Sequence, residues 1–196
     1  MTKIPKSLDL TKVASPIGDI LLVTDSEALV SLDYEGYEHR MMRLLEKRYG
    51  AFDLVDSTGQ NNNNELNLDH LIEQIQSYLK GDLTAIDHIP VKPGGTAFQA
   101  KVWQTLRSIP AGTVISYGEL AHQINNPAAV RAVGTTNGLN PISIVLPCHR
   151  VIGANGSLTG YAGGIERKRW LLEHEGVELA QLQQPRHSQQ LSLLDS

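Results

Sequence analysis

The sequence feature that most constrains the fold is an apolar run that stops at a proline directly before the only cysteine of the chain. Residues 142–146 are mostly apolar and β-branched, a composition typical of a buried strand. Pro147 cannot donate a backbone hydrogen bond and has a fixed φ, so we expect the strand-like run to end there. Cys148 follows the proline, with His149 and Arg150 directly after it.

A lone cysteine beside an imidazole and a guanidinium is a candidate nucleophile. The thiolate is the reactive form of cysteine, and neighbouring cations lower the pKa of the thiol. The ordinary alternative is that Cys148 is a small buried apolar side chain, which is a common state of a free cysteine. The sequence Pro-Cys-His-Arg favours the nucleophile, because it places two cationic side chains next to the thiol.

Composition limits the class of protein. A chain of 196 residues can hold one large domain or two small ones. It contains no apolar run of about 18 residues that could cross a membrane, and its first residues lack the apolar core of a secretory signal. A single cysteine excludes an intramolecular disulfide and any zinc site that needs two cysteines. A free thiol suits a reducing compartment, so we expect a cytoplasmic protein.

The net charge of −4 conceals an asymmetry between the two halves of the chain. Residues 1–92 carry 9 Lys and Arg against 15 Asp and Glu, a net charge of −6. Residues 93–175 carry 7 against 4, a net charge of +3. An acidic segment joined to a mildly basic one permits local contact with DNA, although +3 alone does not identify a nucleic-acid-binding patch.

The first ninety residues predict a mixture of sheet and helix. Short apolar segments bounded by turn residues predict strands, and apolar residues three and four apart predict helices. The predicted strands are residues 8–14, 20–24, 28–33, 52–55 and 83–89, and the predicted helices are residues 36–49 and 68–79. The Asn-rich residues 57–65 predict a polar loop. We find no catalytic constellation in this half of the chain.

Two capping boxes mark helices in the second half of the chain. Residues 92–95 have the composition of a linker, and Thr96 then begins a helix with Gln99 three residues later. Ser116 and Glu119 repeat the same arrangement at the start of another helix.

The second capping box begins a pair of short helices. The first is predicted from Tyr117 to about Ile124, and the second from Pro127 to about Thr136, with Asn126 as its N-cap. Helix, tight turn and helix at this spacing form a helix-turn-helix pattern, which often binds DNA. Short helix pairs are also common in proteins that do not bind DNA.

The last part of the chain predicts a glycine-rich segment, one further helix and a tail. Residues 153–164 are glycine-rich and predict a flexible wall, since no phosphate-loop spacing fits them. Residues 165–174 predict a helix on which residues 167–169, Arg-Lys-Arg, form a solvated or phosphate-facing stripe. Glu175 lies at its C-terminal end, where the helix dipole disfavours an anion, and a histidine partner would explain that position. Residues 177–196 predict a disordered tail.

The segment from Thr96 to Gly176, with Pro147-Cys148-His149-Arg150-Val151 within it, resembles the O6-alkylguanine-DNA alkyltransferases, also called methylated-DNA–protein-cysteine methyltransferases. The resemblance implies an α+β fold. Residues 1–92 would form an α/β domain with a ribonuclease-H-like sheet and a chiefly structural role, and residues 93–176 a mostly helical DNA-binding and alkyl-acceptor domain with the helix-turn-helix. Some relatives bind a structural zinc in the N-terminal domain, and this chain lacks the cysteines for it.

The resemblance also implies catalytic roles. Cys148 would accept the alkyl group, and His149, through an ordered water, would act as base towards the thiol. Glu175 would orient His149, and Asn140 would hold the turn between the helix pair and the active site. The thioether formed has no ready leaving path, so each molecule would react once. Neither a cofactor nor a metal is implied.

The implied partner is double-stranded DNA that contains O6-alkylguanine, with O4-alkylthymine left open as a second substrate. Tyr117 would meet the target phosphate and donate a hydrogen bond to the guanine, and Arg131 would enter the base stack where the target nucleotide is flipped out. The simpler alternatives are that Tyr117 packs in the first turn of its helix and that Arg131 is a surface charge. The other residues implied in DNA or base binding are Ala129, Ala132, Val151, Tyr161, Ala162 and Gly163. We expect a monomer without a membrane partner, and cooperative binding along DNA is left open.

Three other functions compete with alkyl transfer. A non-enzymatic protein that recognises alkylated DNA would keep the fold but replace the cysteine, which is present here. A helix-turn-helix regulator that senses alkylation would carry a second cysteine-bearing module, for which this chain has neither the length nor the cysteine. A cysteine hydrolase would form an acyl intermediate opened by water, and would have no use for a DNA-binding helix pair beside its cysteine.

Overall fold

The structure is a computed structural model that describes residues 5–57 and 66–182. Its N-terminal part contains the strands β1 (Lys6–Val13), β2 (Ile20–Thr24), β3 (Leu29–Tyr34) and β4 (Phe52–Asp56). They form one sheet in the order β3-β2-β1-β4, antiparallel except for the parallel pairing of β1 with β4. The four strands predicted before residue 60 are therefore confirmed.

Two helices complete this part, α1 (Glu38–Tyr49) and α2 (Leu68–Leu79), and both were predicted. Helix α1 ends at Gly50, whose φ of 71° lies in the left-handed region that glycine adopts without strain. Helix α2 begins at Asn67, whose side chain accepts a hydrogen bond from the backbone N–H of His70. The polar loop predicted at residues 57–65 lies, from residue 58 onward, outside the described residues.

The sheet is covered on both faces, because side chains alternate along each strand. On one face Leu21 and Val23 pack against Met41 and Leu45 of α1. On the other face the alternate residues of the same strands join the core of the C-terminal half; these are Ile20, Leu22, Leu29 and Leu32. Every residue of β2 and β3 is buried as a result.

The outer edge of β3 is paired with two segments that lie far away in sequence. The N–H and C=O of Leu29 bond to residues 90 and 92, each at 2.9 Å. The N–H and C=O of Leu32 bond to residues 141 and 143, at 2.9 and 3.0 Å. The sheet therefore holds the segment that leads to Cys148 directly by backbone hydrogen bonds.

The strand predicted at residues 83–89 is wrong. These residues form consecutive turns, in which the side chain of Asp82 accepts hydrogen bonds from the backbone and hydroxyl of Thr84. Ile86 and Ile89 are both buried, and their spacing of three matches a turn and not the period of two of a strand. The aspartate competes with extended pairing by bonding its own following backbone.

The C-terminal part is mostly helical. Its elements are α3 (Ala97–Leu106), β5 (Ile115–Ser116), α4 (Tyr117–Gln123), α5 (Val130–Gly138), β6 (Val151–Ile152), α6 (Ile165–His174) and α7 (Leu179–Leu182). Strands β5 and β6 form a short parallel pair. Both predicted capping boxes are present, at Thr96 with Gln99 and at Ser116 with Glu119.

The connection between α4 and α5 differs from the prediction. One turn of 3-10 helix, Pro127–Ala129, precedes α5, and the side chain of Asn126 makes no capping hydrogen bond. The backbone N–H of Asn126 instead bonds to the carbonyl of Ala121, and Asn125 takes a φ of 57°. These two features end α4 tightly, so the chain enters α5 through the 3-10 turn and not through an N-cap at Asn126.

Helix α6 ends in a Schellman motif that orders the residues after it. Gly176 has a φ of 84°, its N–H bonds to Glu173, and the N–H of Val177 bonds to Leu172. Val177 is buried, and α7 follows it. Residues 177–182 are thus ordered, contrary to the disordered tail predicted from residue 177, while residues 183–196 lie outside the described part.

Candidate active site

The apolar run before the cysteine is a buried turn and not the predicted strand. The backbone N–H of Leu146 bonds to the carbonyl of Ile142 at 3.1 Å, and Ile144 has a φ of 67°, which is rare for a β-branched residue. The side chain of Asn140 spans this turn: it accepts from the N–H of Ile142 at 3.0 Å and donates to the carbonyl of Leu146 at 2.7 Å. These bonds satisfy backbone groups that a strand ladder would otherwise have paired.

Cys148 lies at the end of this rigid turn. The φ of −76° and ψ of 65° at Pro147, with the N–H of Cys148 bonded to Leu146 at 2.7 Å, form an inverse γ-turn. One turn of 3-10 helix, Cys148–Arg150, follows, and Asn137 donates a hydrogen bond to the Cys148 carbonyl at 3.2 Å. The cysteine is only 3% exposed.

The Glu175 carboxylate contacts the side chains of three residues from different parts of the fold at hydrogen-bond distance. His149 Nε2 lies 2.9 Å from Oε1, and Arg150 donates from Nη2 to Oε1 at 2.8 Å and from Nε to Oε2 at 2.9 Å. The hydroxyl of Tyr78 donates to Oε1 at 2.7 Å. All four residues are buried. This network explains how an anion is held at the end of α6, where the helix dipole opposes it.

The environment sets the charges of the histidine and the carboxylate. Burial tends to raise the pKa of Glu175, but the hydrogen bonds of His149 and Arg150 and the charge of Arg150 outweigh it and hold that pKa well below its ordinary value. Burial lowers the pKa of His149 and outweighs the opposing effect of Glu175. A neutral imidazole therefore faces a carboxylate that can only accept, so Nε2 carries the proton.

The second nitrogen of His149 is consequently an acceptor. Its Nδ1 is buried and has no hydrogen-bond partner among the described residues. A buried lone pair on an imidazole that a carboxylate orients is the arrangement of a general base.

The thiol is protonated in its resting state. Burial raises the pKa of Cys148, and the hydrogen bond of Asn140 and the charges of Lys168 and Arg40 only partly offset that rise. The guanidinium of Arg150, which the sequence places near the thiol, is bound to the glutamate instead. The cationic influence on the thiol thus comes from residues distant in sequence, and a base is needed to form the thiolate.

Lys168 is fully buried, so its prediction as part of a solvated stripe is wrong. Its Nζ donates to the carbonyls of Val151 at 2.6 Å and Thr159 at 2.8 Å, and burial lowers its pKa to about 8. The reason for the burial is the helical period, which puts Lys168 on the same face as Leu171 and Leu172. The lysine joins β6 to the glycine-rich segment.

The residues predicted to read the base lie on β6 and in the glycine-rich segment that follows it. Val151 and Tyr161 belong to the same packed cluster as the cysteine, and Ala162 is half-buried. The Tyr161 hydroxyl lies 2.6 Å from the hydroxyl of Tyr34, on β3. A Cβ on Gly163 would collide with the Tyr34 ring, so only glycine fits this approach of the wall to the sheet.

The residues predicted to bind DNA lie on or beside α4 and α5. The Tyr117 hydroxyl donates to the Thr159 carbonyl at 3.2 Å, and a Cβ on Gly134 would lie 3.8 Å from the Tyr117 ring. Tyr117 therefore bridges α5 and the glycine-rich wall. The other three predicted residues are Ala129, which is half-buried, and Arg131 and Ala132, which are exposed.

Sequence reasoning missed three residues of the N-terminal half that reach the site: Tyr34, which meets Tyr161, and also Tyr78 and Arg40. Tyr78 bonds to Glu175, as described above, and Arg40 donates from Nη2 to the carbonyls of Gly138 at 3.0 Å and Asn140 at 2.8 Å. The expectation that the N-terminal half has a chiefly structural role is therefore incomplete, because its side chains also contact the site. No local signal marks these contacts, because the partners lie about a hundred positions apart in the chain.

Within residues 5–57 and 66–182, no group of three or more His, Cys, Asp and Glu side chains could hold a metal ion. In the same part of the chain, no helix is both long and apolar enough to cross a membrane.

Fold and site together define a class of protein: a two-part α+β protein with a buried cysteine, a histidine–glutamate pair next to it, and an exposed helix with small residues beside them. Residues 97–177 match the family described as 6-O-methylguanine DNA methyltransferase, DNA binding domain. Residues 10–93 match the family described as 6-O-methylguanine DNA methyltransferase, ribonuclease-like domain.

Individual relatives agree with these matches. The chain is 47% identical over 171 residues to the methylated-DNA–protein-cysteine methyltransferase of Shigella flexneri, with 86% of this chain and 95% of the relative covered. It is 48% identical over 171 residues to the protein of the same name from Salmonella typhimurium strain LT2, with the same coverage. It also resembles the crystal structure of Mycobacterium tuberculosis OGT in complex with DNA, with a TM-score of 0.71 and 37% identity over 89% of this chain and 98% of that chain. The chain belongs to the methylated-DNA–protein-cysteine methyltransferase family, as its sequence predicts.

Proposed function

We propose that this protein repairs DNA by moving an alkyl group from O6 of guanine to Sγ of Cys148. The observation that carries the proposal is the buried cysteine beside a carboxylate-oriented histidine, in a chain of this family. The relatives named above are methyltransferases that act on methylated DNA and a protein cysteine, and the resembling crystal structure contains DNA.

The proton comes off the thiol first. His149 Nδ1, which has no partner among the described residues, takes it through an ordered water. Glu175 stabilises the resulting imidazolium through the 2.9 Å contact with Nε2. The thiolate then attacks the alkyl carbon in line; the C–S bond forms, the C–O bond breaks, and its electron pair remains on the guanine.

Tyr117 stabilises the departing guanine with a hydrogen bond. Burial raises the pKa of its hydroxyl, so the hydroxyl stays neutral and can donate. Its position between α5 and the glycine-rich wall supports this role. Val151, Tyr161, Ala162 and Gly163 form the surface against which the base rests. The thioether has no leaving path, so each molecule reacts once.

DNA binds to α4 and α5, which we interpret as the helix-turn-helix. The small residues Ala129 and Ala132 permit close approach of the helix to the minor groove, and Arg131 fills the base stack. Because the cysteine is 3% exposed, a guanine within a duplex cannot reach it, and the target nucleotide is flipped out. We propose that the protein acts as a monomer, and O4-alkylthymine is the second substrate to test.

The test is the intact mass of the protein after incubation with a duplex that carries one O6-methylguanine. A gain of one methyl group, about 14 Da, mapped to Cys148 and absent from Cys148→Ser, is the expected result of covalent transfer. Repaired DNA without a mass gain would indicate turnover and a different enzyme class. Unrepaired DNA with tight binding would leave the competing function, a non-enzymatic protein that recognises alkylated DNA.

A further inference from the structure

The active-site carboxylate receives a hydrogen bond from the half of the chain for which sequence and resemblance gave only a structural role. Tyr78 lies on α2, 97 positions before Glu175, and its hydroxyl is 2.7 Å from Oε1. The tyrosine side chain is fully buried. A phenol placed on a carboxylate that orients the histidine beside the cysteine is in a position to affect the reaction, and not only the packing.

We propose that Tyr78 is a positioning residue for alkyl transfer: its hydroxyl fixes the Glu175 carboxylate and limits the negative charge that the carboxylate presents to His149. The inference rests on the function proposed above. Tyr78 touches neither DNA nor the thiol in this scheme; it acts through the glutamate.

The ring of Tyr78 is held in place, so its hydroxyl is a fixed donor. The Nε2 of His174 lies 2.7 Å from the Tyr78 carbonyl, and the two rings meet edge to face with 5.3 Å between centroids. Trp170 stacks on the His174 ring, with 4.7 Å between centroids. Burial first and the charge of Glu175 second raise the pKa of Tyr78, so its hydroxyl stays protonated at any working pH and donates to the carboxylate.

The hydrogen bonds are distributed unevenly over the two carboxylate oxygens. Oε1 accepts from Tyr78, His149 and Arg150, whereas Oε2 accepts from Arg150 alone among the bonds that the structure shows. Tyr78 and His149 therefore compete for the same oxygen. Because an ionised acceptor gives each donor a strong bond, removing one donor leaves more charge for the others.

The other ionisable groups around Tyr78, Glu175 and His149 come from three elements. Arg150 and Cys148 lie on the 3-10 turn, and Lys168 lies on α6, where its charge disfavours protonation of His149. His174, also on α6, contacts the Tyr78 ring, and Tyr34 on β3 faces Tyr78 as well. Substitution of Tyr78 by Phe changes none of these charges, so its effect on His149 passes through Oε1.

The direction of the effect follows from this competition. Without the phenol, Glu175 stabilises the imidazolium of His149 more strongly, so His149 becomes protonated at a higher pH. The base is then lost at a higher pH, and the acid side of the pH–rate profile moves upward. We expect a shift of about half to one pH unit, the size that one charge-assisted hydrogen bond can cause when it is shared.

The experiment measures the single-turnover rate of methyl transfer from an O6-methylguanine duplex against pH, for the wild type, Tyr78→Phe and Tyr49→Phe. Tyr49→Phe is the matched control, because it also removes a phenol from the N-terminal half and its hydroxyl has no partner among the described residues. The acid midpoint should move upward in Tyr78→Phe alone. Site-specific 3-fluorotyrosine at position 78, which is a stronger donor of nearly the same shape, should move it downward.

An NMR titration of the His149 ring separates failure of this inference from failure of the proposed function. Absence of transfer by the wild type would refute the function, while the titration would still report whether Tyr78 controls His149. If Tyr78→Phe lost its fold, the fluorotyrosine protein would decide the question. The inference would be overturned if the Tyr78→Phe or the fluorotyrosine protein had the same pH–rate profile and the same His149 titration as the wild type. It would also be overturned if Tyr49→Phe shifted the acid midpoint as much as Tyr78→Phe does.

Discussion

Substitution of Asn140 by alanine tests whether its side chain holds the turn before the cysteine. Asn140 is 1% exposed and makes two hydrogen bonds to backbone groups, at 3.0 Å from the N–H of Ile142 and at 2.7 Å to the carbonyl of Leu146. Alanine leaves the N–H of Ile142 buried without a partner, at a cost of about 1–3 kcal/mol. The Leu146 carbonyl loses one of its two hydrogen bonds, at a cost of about 0.5–1.5 kcal/mol, because it still accepts from the N–H of Cys148. Relaxation of Ile144 from its left-handed conformation returns about 1 kcal/mol.

The expected loss of unfolding free energy is therefore about 0.5–3.5 kcal/mol, out of the 5–15 kcal/mol that is typical of a domain. Urea unfolding measures it, with Asn126→Ala as the control, because Asn126 is exposed and its side chain makes no capping bond. The control should change stability by less than about 0.5 kcal/mol. The same Asn140 variant should raise the pKa of the Cys148 thiol, because it removes a hydrogen bond that lowers it.

A loss below about 0.5 kcal/mol for Asn140→Ala, no larger than that of the control and with an unchanged dependence on urea concentration, would refute this reasoning. It would mean that pairing with β3 and burial of the apolar side chains maintain the turn, and that Asn140 contributes little to its stability. An unchanged thiol pKa would separately refute the electrostatic role of the amide.

Three further predictions follow from buried groups of the site. Burial lowers the pKa of His149 below its ordinary 6.5, so the unfolded chain binds more protons than the folded chain near that pH. The free energy of unfolding should therefore fall as the pH drops below 6.5, by up to about 1.4 kcal/mol per pH unit. Urea unfolding at several pH values measures this slope, which His149→Gln should flatten. Lys168→Met should raise the pKa of the thiol, because it removes a charge that lowers it. The difference in ultraviolet absorbance between each protein and its Cys148→Ser counterpart separates the thiolate of the one cysteine from the six tyrosines, and an unchanged difference titration would contradict the assignment. Gly163→Ala should lower the free energy of unfolding by about 1–3 kcal/mol, because the new Cβ collides with the Tyr34 ring. Gly138→Ala is the control, because the space around its Cβ is open, and it should be neutral or slightly stabilising. Equal thermal unfolding of the two variants would refute the steric argument.

Elements whose cause is local could be predicted from the sequence. The capping boxes at Thr96 and Ser116 each use residues three positions apart, so the sequence contains the whole interaction. The same holds for the end of α1 at Gly50. Catalytic candidates were found because Cys148 and His149 are adjacent and because Glu175 stands in an unfavourable helix position.

Elements whose cause is tertiary could not be predicted. The apolar composition of residues 142–146 is equally suited to a buried strand and to a buried turn, and the choice depends on Asn140 and on pairing with Leu32. Lysine is a residue type that usually lies on the surface. The burial of Lys168 depends on its hydrogen bonds to the carbonyls of Val151 and Thr159, which the local sequence does not reveal.

The N-terminal sheet and helices are best understood as part of the site and not as a separate support. Each active-site segment receives one contact from them: β3 pairs with the turn before the cysteine, Tyr34 meets Tyr161 on the wall, Arg40 binds the carbonyl of Asn140, and Tyr78 binds Glu175. Three of these four contacts are polar side-chain contacts between buried or half-buried groups, so each would leave an unsatisfied partner if the halves moved apart. The proposed alkyl transfer needs His149, Glu175 and the glycine-rich wall in fixed relative positions, and this arrangement connects all three to one sheet. The acidic half of the chain therefore fixes the positions of the active-site groups, while the basic half contains the surface proposed for DNA.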